Sequence, residues 1–373
     1  MNRRTFLGVA GGSFLIAGAT YYAFSDKSNF VRADLKPDSN VKTGLTPDQR
    51  QIAYLASLAP SGHNTQPWMI RFIEPLHWII CNDKRKWLPA VDPMQRETIL
   101  SIGAFIQNLE YAAHSLGYRC EFSLMANTNQ DENVMEVKLI RSGSKLRYNA
   151  ERIVQRRTVR SNILSVDLRA EDVKLLIDNE PDLIHFIPRT DKAYHVLNEQ
   201  TIESNKIQSY REPAQKELAD WIRFSSKDAE LYRDGLSTGS MEIEGIAGWL
   251  VRNFYGKSNV MAKSFRDQNI KQVEKQVASS AGWFLITSKD ASVGSLIETG
   301  RRMQRLFLKV REKNIAIHPM TQILEEPSIH QSFNVSVGII DPVQFILRTG
   351  YVKKYPDPVS LRRPVERFTQ WVT

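Results

Sequence analysis

The chain has 373 residues, 42% of them hydrophobic and 24% charged, which is ordinary for a soluble globular protein and enough for one large domain or two medium ones. Its formal net charge is +9, yet the basic residues alternate with Glu and Asp and no recognition motif accompanies them, so nucleic acid is not expected as a partner. The two cysteines, Cys81 and Cys120, fit no metal spacing, and the seven histidines form no HExxH cluster, so no metal site is expected.

Residues 1–24 open with Met-Asn-Arg-Arg-Thr-Phe-Leu-Gly and continue as a weakly apolar run to Phe24, with no acid before Asp26. A basic start followed by an apolar stretch is an export pattern, and Arg3-Arg4 before Thr5-Phe6-Leu7 resembles the twin-arginine signal. Gly11, Gly12 and Ser13 interrupt the run, which argues against a stable spanning helix. Ala17-Gly18-Ala19 offers a small-residue cleavage site, and an uncleaved anchor stays open. The protein is therefore expected outside the cytoplasm, periplasmic or membrane-anchored facing the periplasm, with the twin-arginine machinery as a partner. That route carries folded proteins, often with a cofactor in place, so a tightly bound cofactor is expected. There is no GxGxxG, Walker A or GxSxG motif to make it a dinucleotide, a P-loop ligand or a serine nucleophile. Residues 26–44 are polar and aperiodic and read as a linker.

Thr46-Pro47-Asp48-Gln49 carries a cap, a proline at the first helical position and an early acid, which predicts a helix to about Leu58. Ala59–Asn64 must be a loop. Trp68–Phe72 and Trp78–Asn82 read as short strands. Asp92-Pro93 predicts the start of a second helix, with Ile102, Phe105, Ile106, Leu109, Ala113 and Leu116 on one stripe and Gly117 just past its end. Strands near 118–125 and 134–140 follow, and Cys81 and Cys120 read as buried strand thiols ahead of a disulfide. The pattern then restarts, with a helix containing Arg152–Arg160, a strand near 183–188, and helices across about 190–222. The Gly-rich segment 235–262 also holds Trp249, Phe254 and Tyr255. A strand from Gly282, a helix over 292–313 and a last strand over Val343–Tyr351 complete the chain. Helices mixed with few strands that suit antiparallel pairing predict an α+β fold.

Four constellations carry possible chemistry. Ser61, Gly62 and Asn64 in the Pro60–Trp68 loop offer short donors that suit an oxyanion or a heterocycle edge, and also suit a plain polar turn. Arg156, Arg157 and Arg160, placed within one turn, repel one another unless an anion lies between them. Thr158 adds a hydroxyl, and the alternative is a solvated basic face. Arg362-Arg363-Pro364 after Arg348-Thr349-Gly350-Tyr351 reads as an arginine pair folded back onto the body, or as a loose basic tail. His318-Pro319 at the end of Asn314–Met320 presents backbone N–H groups in a fixed direction.

Together these pieces resemble the nitroreductase family. Pro60-Ser61-Gly62-His63-Asn64-Thr65-Gln66-Pro67-Trp68 is similar to its PSxxNxQPW loop, Arg156-Arg157-Thr158-Val159-Arg160 to its RRSxR phosphate motif, and Leu347–Tyr351 to its closing RxGY strand. The arginine motif here follows the loop instead of preceding it. That order resembles the Acg-type branch, in which two degenerate nitroreductase-like halves form a pseudo-dimer in one chain. The resemblance implies halves at 45–148 and 149–373, a possible lid at 235–262, and one FMN. By that resemblance Arg156, Arg157, Arg160 and Arg363 hold its phosphate and Thr158 and Asn64 its ribityl chain or ring edge, with Ser61, Gly62 and Arg362 also among the cofactor-binding residues. The backbone at His318 and Pro319 faces the flavin N5. The implied function is electron transfer through FMN to an unknown small-molecule or protein acceptor; the alternative is FMN storage with little turnover. No side chain is assigned a catalytic role, because flavin N5 is the reactive centre.

Overall fold

The computed structural model describes residues 25–36, 44–142, 148–178 and 180–372. The twin-arginine-like segment and residues 37–43 of the expected linker lie outside the described residues. Helix α1 (Pro47–Ser57) begins at the predicted cap: Gln49 donates its backbone N–H to Thr46 Oγ1, and Thr46 donates its own to Gln49 Oε1. Strands β1 (Trp68–Glu74) and β2 (His77–Asn82) form a hairpin. Helix α2 (Arg96–Ser115) follows, and then the hairpin β3 (Tyr118–Leu124) and β4 (Asn133–Arg141).

The chain repeats this plan. After short helices α3 (Glu151–Gln155) and α4 (Ala170–Ile177) come β5 (Ile184–Pro188), α5 (Lys192–Tyr210) and α6 (Glu212–Trp221). A small insertion holds β6 (Ile222–Arg223), α7 (Ser226–Tyr232), β7 (Leu236–Ser237), α8 (Gly245–Phe254) and α9 (Lys257–Met261). Helix α10 (Lys263–Ala278) leads to β8 (Gly282–Thr287), helix α11 (Val293–Phe307) and β9 (Ile315–Pro319). Helices α12 (Gln322–Glu325) and α13 (Pro327–Val337) then precede β10 (Val343–Tyr351) and the terminal β11 (Thr369–Trp371).

One sheet has the order β11-β1-β2-β4-β3 and the other β5-β8-β10-β9. Leaving β11 aside, each is two strands, a long helix, then two strands paired in reversed order. The fold is α+β, with antiparallel pairing throughout except β1–β11 and the two-residue β6–β7 pair.

The two long helices meet at glycines. A Cβ on Gly103 of α2 would lie 2.2 Å from the Ile297 carbonyl oxygen, and one on Gly300 of α11 would lie 2.0 Å from that of Leu100. Only glycine allows backbones this close. The buried amides of Gln304 and Asn108 bond across the same crossing at 2.7 Å, and one hydrophobic core runs through both helices and both sheets. The segment after each sheet's last strand also reaches the other sheet. Beyond β4, Val159 donates its N–H to the Ile317 carbonyl of β9. Beyond β10, the chain crosses back so that β11 pairs in parallel with β1.

Four sequence expectations change, the simplest being that the helix expected over 292–313 ends at Phe307, with a separate turn at Arg311–Lys313. The second helix starts at Arg96, because Asp92–Gln95 folds into a turn in which the Asp92 carboxylate accepts the Thr98 N–H and Gln95 is left-handed. The expected helix over Arg152–Arg160 ends at Gln155, and Arg156 is extended with φ −61 and ψ 132, so the three arginines do not share a helical face. Residues 26–36 are no free linker: Asp26 bonds Ser226 and Asn253, and Arg32 is buried. Cys81 and Cys120 are both free thiols on β2 and β3, with β4 lying between those strands. Two strand spacings, about 9–10 Å, are beyond disulfide reach.

Candidate functional site

The Pro60–Trp68 loop leaves α1 and enters β1, and its backbone is unusual. His63, Asn64 and Gln66 have φ of 47°, 55° and 57°. Such left-handed non-glycine residues persist only where their surroundings fix them, and here the surroundings do so with hydrogen bonds. Asn64 Nδ2 donates to the carbonyls of Gly235 (3.0 Å) and Leu361 (3.2 Å), and its Oδ1 accepts from Arg362 Nη1 at 2.8 Å. Gln66 Oε1 accepts the Arg363 N–H, and Ser61 Oγ accepts that of Gln66. The loop is thus clamped by the C-terminal arginines, which are no loose tail.

Around it gathers a nest of buried guanidiniums. Arg362 donates to the Leu58 and Ala59 carbonyls at the C-terminal end of α1, and Arg156 donates through two nitrogens to the same Leu58 carbonyl. Arg32 reaches Val154 O and Ser360 O from the other side. Arg363 Nη2 bonds the Gln66 and Trp68 carbonyls, with Asp83 3.6 Å from its Nη1. Carbonyls at a helix C-terminus carry partial negative charge, but Arg32, Arg156 and Arg362 have no carboxylate ion pair among the described residues. Desolvation therefore dominates. It pulls Arg156 down to about 9, with Arg32 adding repulsion, Arg363 to about 10, and Arg362 well below its ordinary value. Several buried N–H groups are also unpartnered: Arg32 Nη2, Arg156 Nη1, Arg157 Nε, Arg362 Nε and Arg363 Nε. Arginine resists deprotonation, so such a nest is suited to an anion.

Arg157 and Arg160 face a different group. Glu242, in the segment after β7, accepts from Arg157 Nη2 (3.2 Å), the Arg160 N–H (3.1 Å), the Ser161 N–H (2.8 Å) and the Ser161 hydroxyl. Its side chain is 8% exposed and its φ is 60°. Arg160 Nη1 also donates to Ser240 O. The segment 235–262 is therefore fastened at both Gly235 and Glu242. A cavity of about 240 Å³ opens beside this contact, lined by Arg157, Ser161, Asn162 and Lys354 among others.

His318 lies on β9, the edge strand beside which Val159 runs. Burial holds its imidazole well below the usual range, with Arg348 and Arg160 adding to the effect. Burial, then Arg160, lowers His63 to about 4. Arg160 thus acts on residues from both halves. Thr158, Ser61, Gly62 and Pro319 are half-buried around this region. Of the residues singled out in the sequence, Asn64, Arg156, Arg362 and Arg363 come together, Arg160 bonds Ser240 and Glu242 and its charge lowers both His63 and His318, and Arg157 turns to Glu242. Arg32 and Glu242 escaped sequence reading, because neither lies in a local pattern.

No family model matches the chain. Two sequence relatives span most of it. A Serratia protein named as the NAD(P)H nitroreductase PigM is 20% identical over 83% of this chain and 89% of its own length. A Mycobacterium tuberculosis protein named as the NAD(P)H nitroreductase Acg is 25% identical over 88% of this chain and 96% of its own. Both names give the activity by inference. Among solved structures, a nitroreductase-like protein of Bacillus cereus matches with 12% identity, covering 60% of this chain and 96% of its own, at a TM-score of 0.32. A nitroreductase-type structure from Anabaena variabilis matches with 11% identity, covering 90% and 99%, at a TM-score of 0.34. Those scores are too low to bear on the fold. The sequence relatives support an oxidoreductase of the nitroreductase family.

Proposed function

We propose that this chain is an exported FMN-binding oxidoreductase of the nitroreductase family, in which two related halves in one polypeptide build a single flavin site. The observation that carries the reading is the set of buried, unpartnered arginine N–H groups beside the Pro60–Trp68 loop. They suit a phosphate dianion, and the repeated strand-strand-helix-strand-strand plan accounts for a site shared between two halves. When bound, FMN supplies hydride and electron chemistry at its N5.

The chain's own residues bind and orient. Arg156, Arg362 and Arg363, with Arg32 behind them, hold the phosphate. Asn64, Ser61 and Gly62 present the clamped loop to the ring edge and ribityl chain, and Thr158 adds a hydroxyl. The backbone at His318 and Pro319 lines the reactive side. The Arg160 charge favours an anionic reduced ring. His318, held neutral by burial, is no cation there.

The relatives' names bring NAD(P)H as a candidate donor. The Glu242 contact favours a closed site that a nicotinamide must open, which supports a second reading as an FMN-holding protein with little turnover. The first test is the absorbance spectrum of purified protein and the identity of the flavin released by heat. The expectation is one non-covalent FMN per chain. Colourless protein that takes up no added FMN refutes the proposal. Anaerobic mixing with NADPH or NADH then separates the two readings: bleaching within seconds supports the oxidoreductase, and a response to dithionite alone supports the holding role.

A further inference from the structure

Glu242 fills a cradle of donors built by residues 157–161. Its Oε1 accepts from Arg157 Nη2 at 3.2 Å and the Arg160 N–H at 3.1 Å, and its Oε2 accepts from the Ser161 N–H at 2.8 Å and the Ser161 hydroxyl. Each carboxylate oxygen thus meets two donors. Two successive backbone N–H groups beside a guanidinium suit an oxyanion of any origin. Glu242 reaches the cradle with φ 60°, and Asn162, which follows it, has φ 57°. Neither residue is glycine, so both backbones are strained and persist only because their contacts fix them. A carboxylate that is not part of the chain makes the same four bonds without straining Glu242.

The cradle also has an entrance. The cavity of about 240 Å³ reaches Arg157, Ser161 and Glu242, and its other charged walls are Lys354 and Glu244. Lys354 is exposed and has no ion pair among the described residues. With Glu242 turned away, Arg157 and Lys354 stand against Glu244 alone, which leaves one positive charge for a ligand to balance. Val159, Val352 and Pro356 add apolar wall, which suits a short hydrocarbon tail.

We propose that the cradle of Arg157, the Arg160 N–H and Ser161 is a binding site for a small monocarboxylate with an apolar tail, which displaces the Glu242 carboxylate and so releases the segment after β7. The site is separate from Arg156, Arg362 and Arg363, to which the flavin phosphate is assigned, and the inference does not depend on flavin binding. The two carboxylates exclude one another, so whatever loosens the Glu242 contact tightens the ligand, and the ligand in turn loosens the contact.

Butyrate is the probe and butyramide its uncharged control, with binding to the full chain followed by calorimetry or ligand-observed NMR. Glycine accommodates φ 60°, so Glu242→Gly empties the cradle without new strain. That variant should bind butyrate about 10- to 150-fold more tightly than the wild type, the worth of a charge-assisted contact. Adding Arg157→Met should abolish the gain, and butyramide should bind none of the three proteins. In the wild type, saturating butyrate should speed amide exchange at 239–254. Equal butyrate affinity in E242G and the wild type overturns the proposal, because Glu242 then holds no site that the ligand wants. Butyramide that binds as well as butyrate overturns it, because the cavity then takes the tail alone. Wild-type exchange at 239–254 that ignores butyrate does so too, because the ligand then displaces nothing. Butyrate that FMN drives out also refutes it, because the cradle then belongs to the flavin site. A protein that binds butyrate as expected but takes up no FMN leaves this inference standing and fails the functional one.

Discussion

Replacing Glu242 by Gln changes one charge and almost no volume. Glutamine at φ 60° carries the same backbone strain as glutamate, so the substitution isolates the carboxylate. Four donors converge on Glu242: the Arg157 guanidinium, two backbone N–H groups and the Ser161 hydroxyl. With the Arg157 and Glu242 side chains only 7% and 8% exposed, the pair is not a weak, screened surface bridge. Glutamine leaves one acceptor oxygen and turns an NH2 group toward donors. A lost charge-assisted bond is worth about 1.5–3 kcal/mol, which corresponds to about 10- to 150-fold in the opening equilibrium of the segment after β7. Amide exchange at 239–254 measures that opening directly and should accelerate by such a factor, with the rest of the protein unaffected. If the segment closes the flavin site, bleaching by NADPH should quicken in the same variant. Unchanged exchange at 239–254 refutes the reasoning, because the contact then does not hold the segment down.

Arg156→Met should weaken FMN binding by about 10- to 150-fold, as befits a lost charge-assisted bond, whereas Arg157→Met, which removes the partner of Glu242, should affect segment opening more than flavin affinity; titration of apoprotein with FMN distinguishes them. Gly103→Ala and Gly300→Ala each drive a methyl into a facing carbonyl and should destabilise by about 1–3 kcal/mol or more in denaturant titrations. His63 provides a pH test. Its folded pKa of about 4 lies below the ordinary 6.5, so the unfolded chain takes up a proton that the folded chain refuses, and stability is lost as pH falls from about 6.5 to 4. His63→Asn tolerates the same left-handed backbone and should remove this loss, about 1–3 kcal/mol, when the two proteins are compared across that range.

Local rules made much of the fold legible. The Thr46–Gln49 capping box, the apolar stripe of α2 and the strand pairs of the first sheet all follow from short-range chemistry. The same rules failed where a distant partner decides. Asp92-Pro93 has the composition of a helix start, but the Asp92 carboxylate is taken by Thr98 and the helix waits until Arg96. Arg156 and Arg160 have helical spacing, but the helix stops at Gln155 and the Arg156 guanidinium goes to the Leu58 carbonyl. The arginines at 156, 362 and 363 were visible as residues, whereas their convergence on one loop depends on contacts between positions some 100–300 residues apart. Arg32 and Glu242 join the site only through such contacts, so no window of sequence marks them.

The pairing of β11 with β1 ties the order of synthesis to the order of folding. Ile70 meets Thr369, and Phe72 meets Trp371, so one edge of the first sheet is completed by residues translated long after β1 itself. Until then β1 presents open backbone N–H and C=O groups, the template on which strands of other molecules add. A nascent chain stopped short of this point has both hairpins of its first sheet but not its outer border. Deletion of residues 369–371 would remove the piece that seals the earliest-made sheet, and the yield of intact protein would suffer before any ligand could bind.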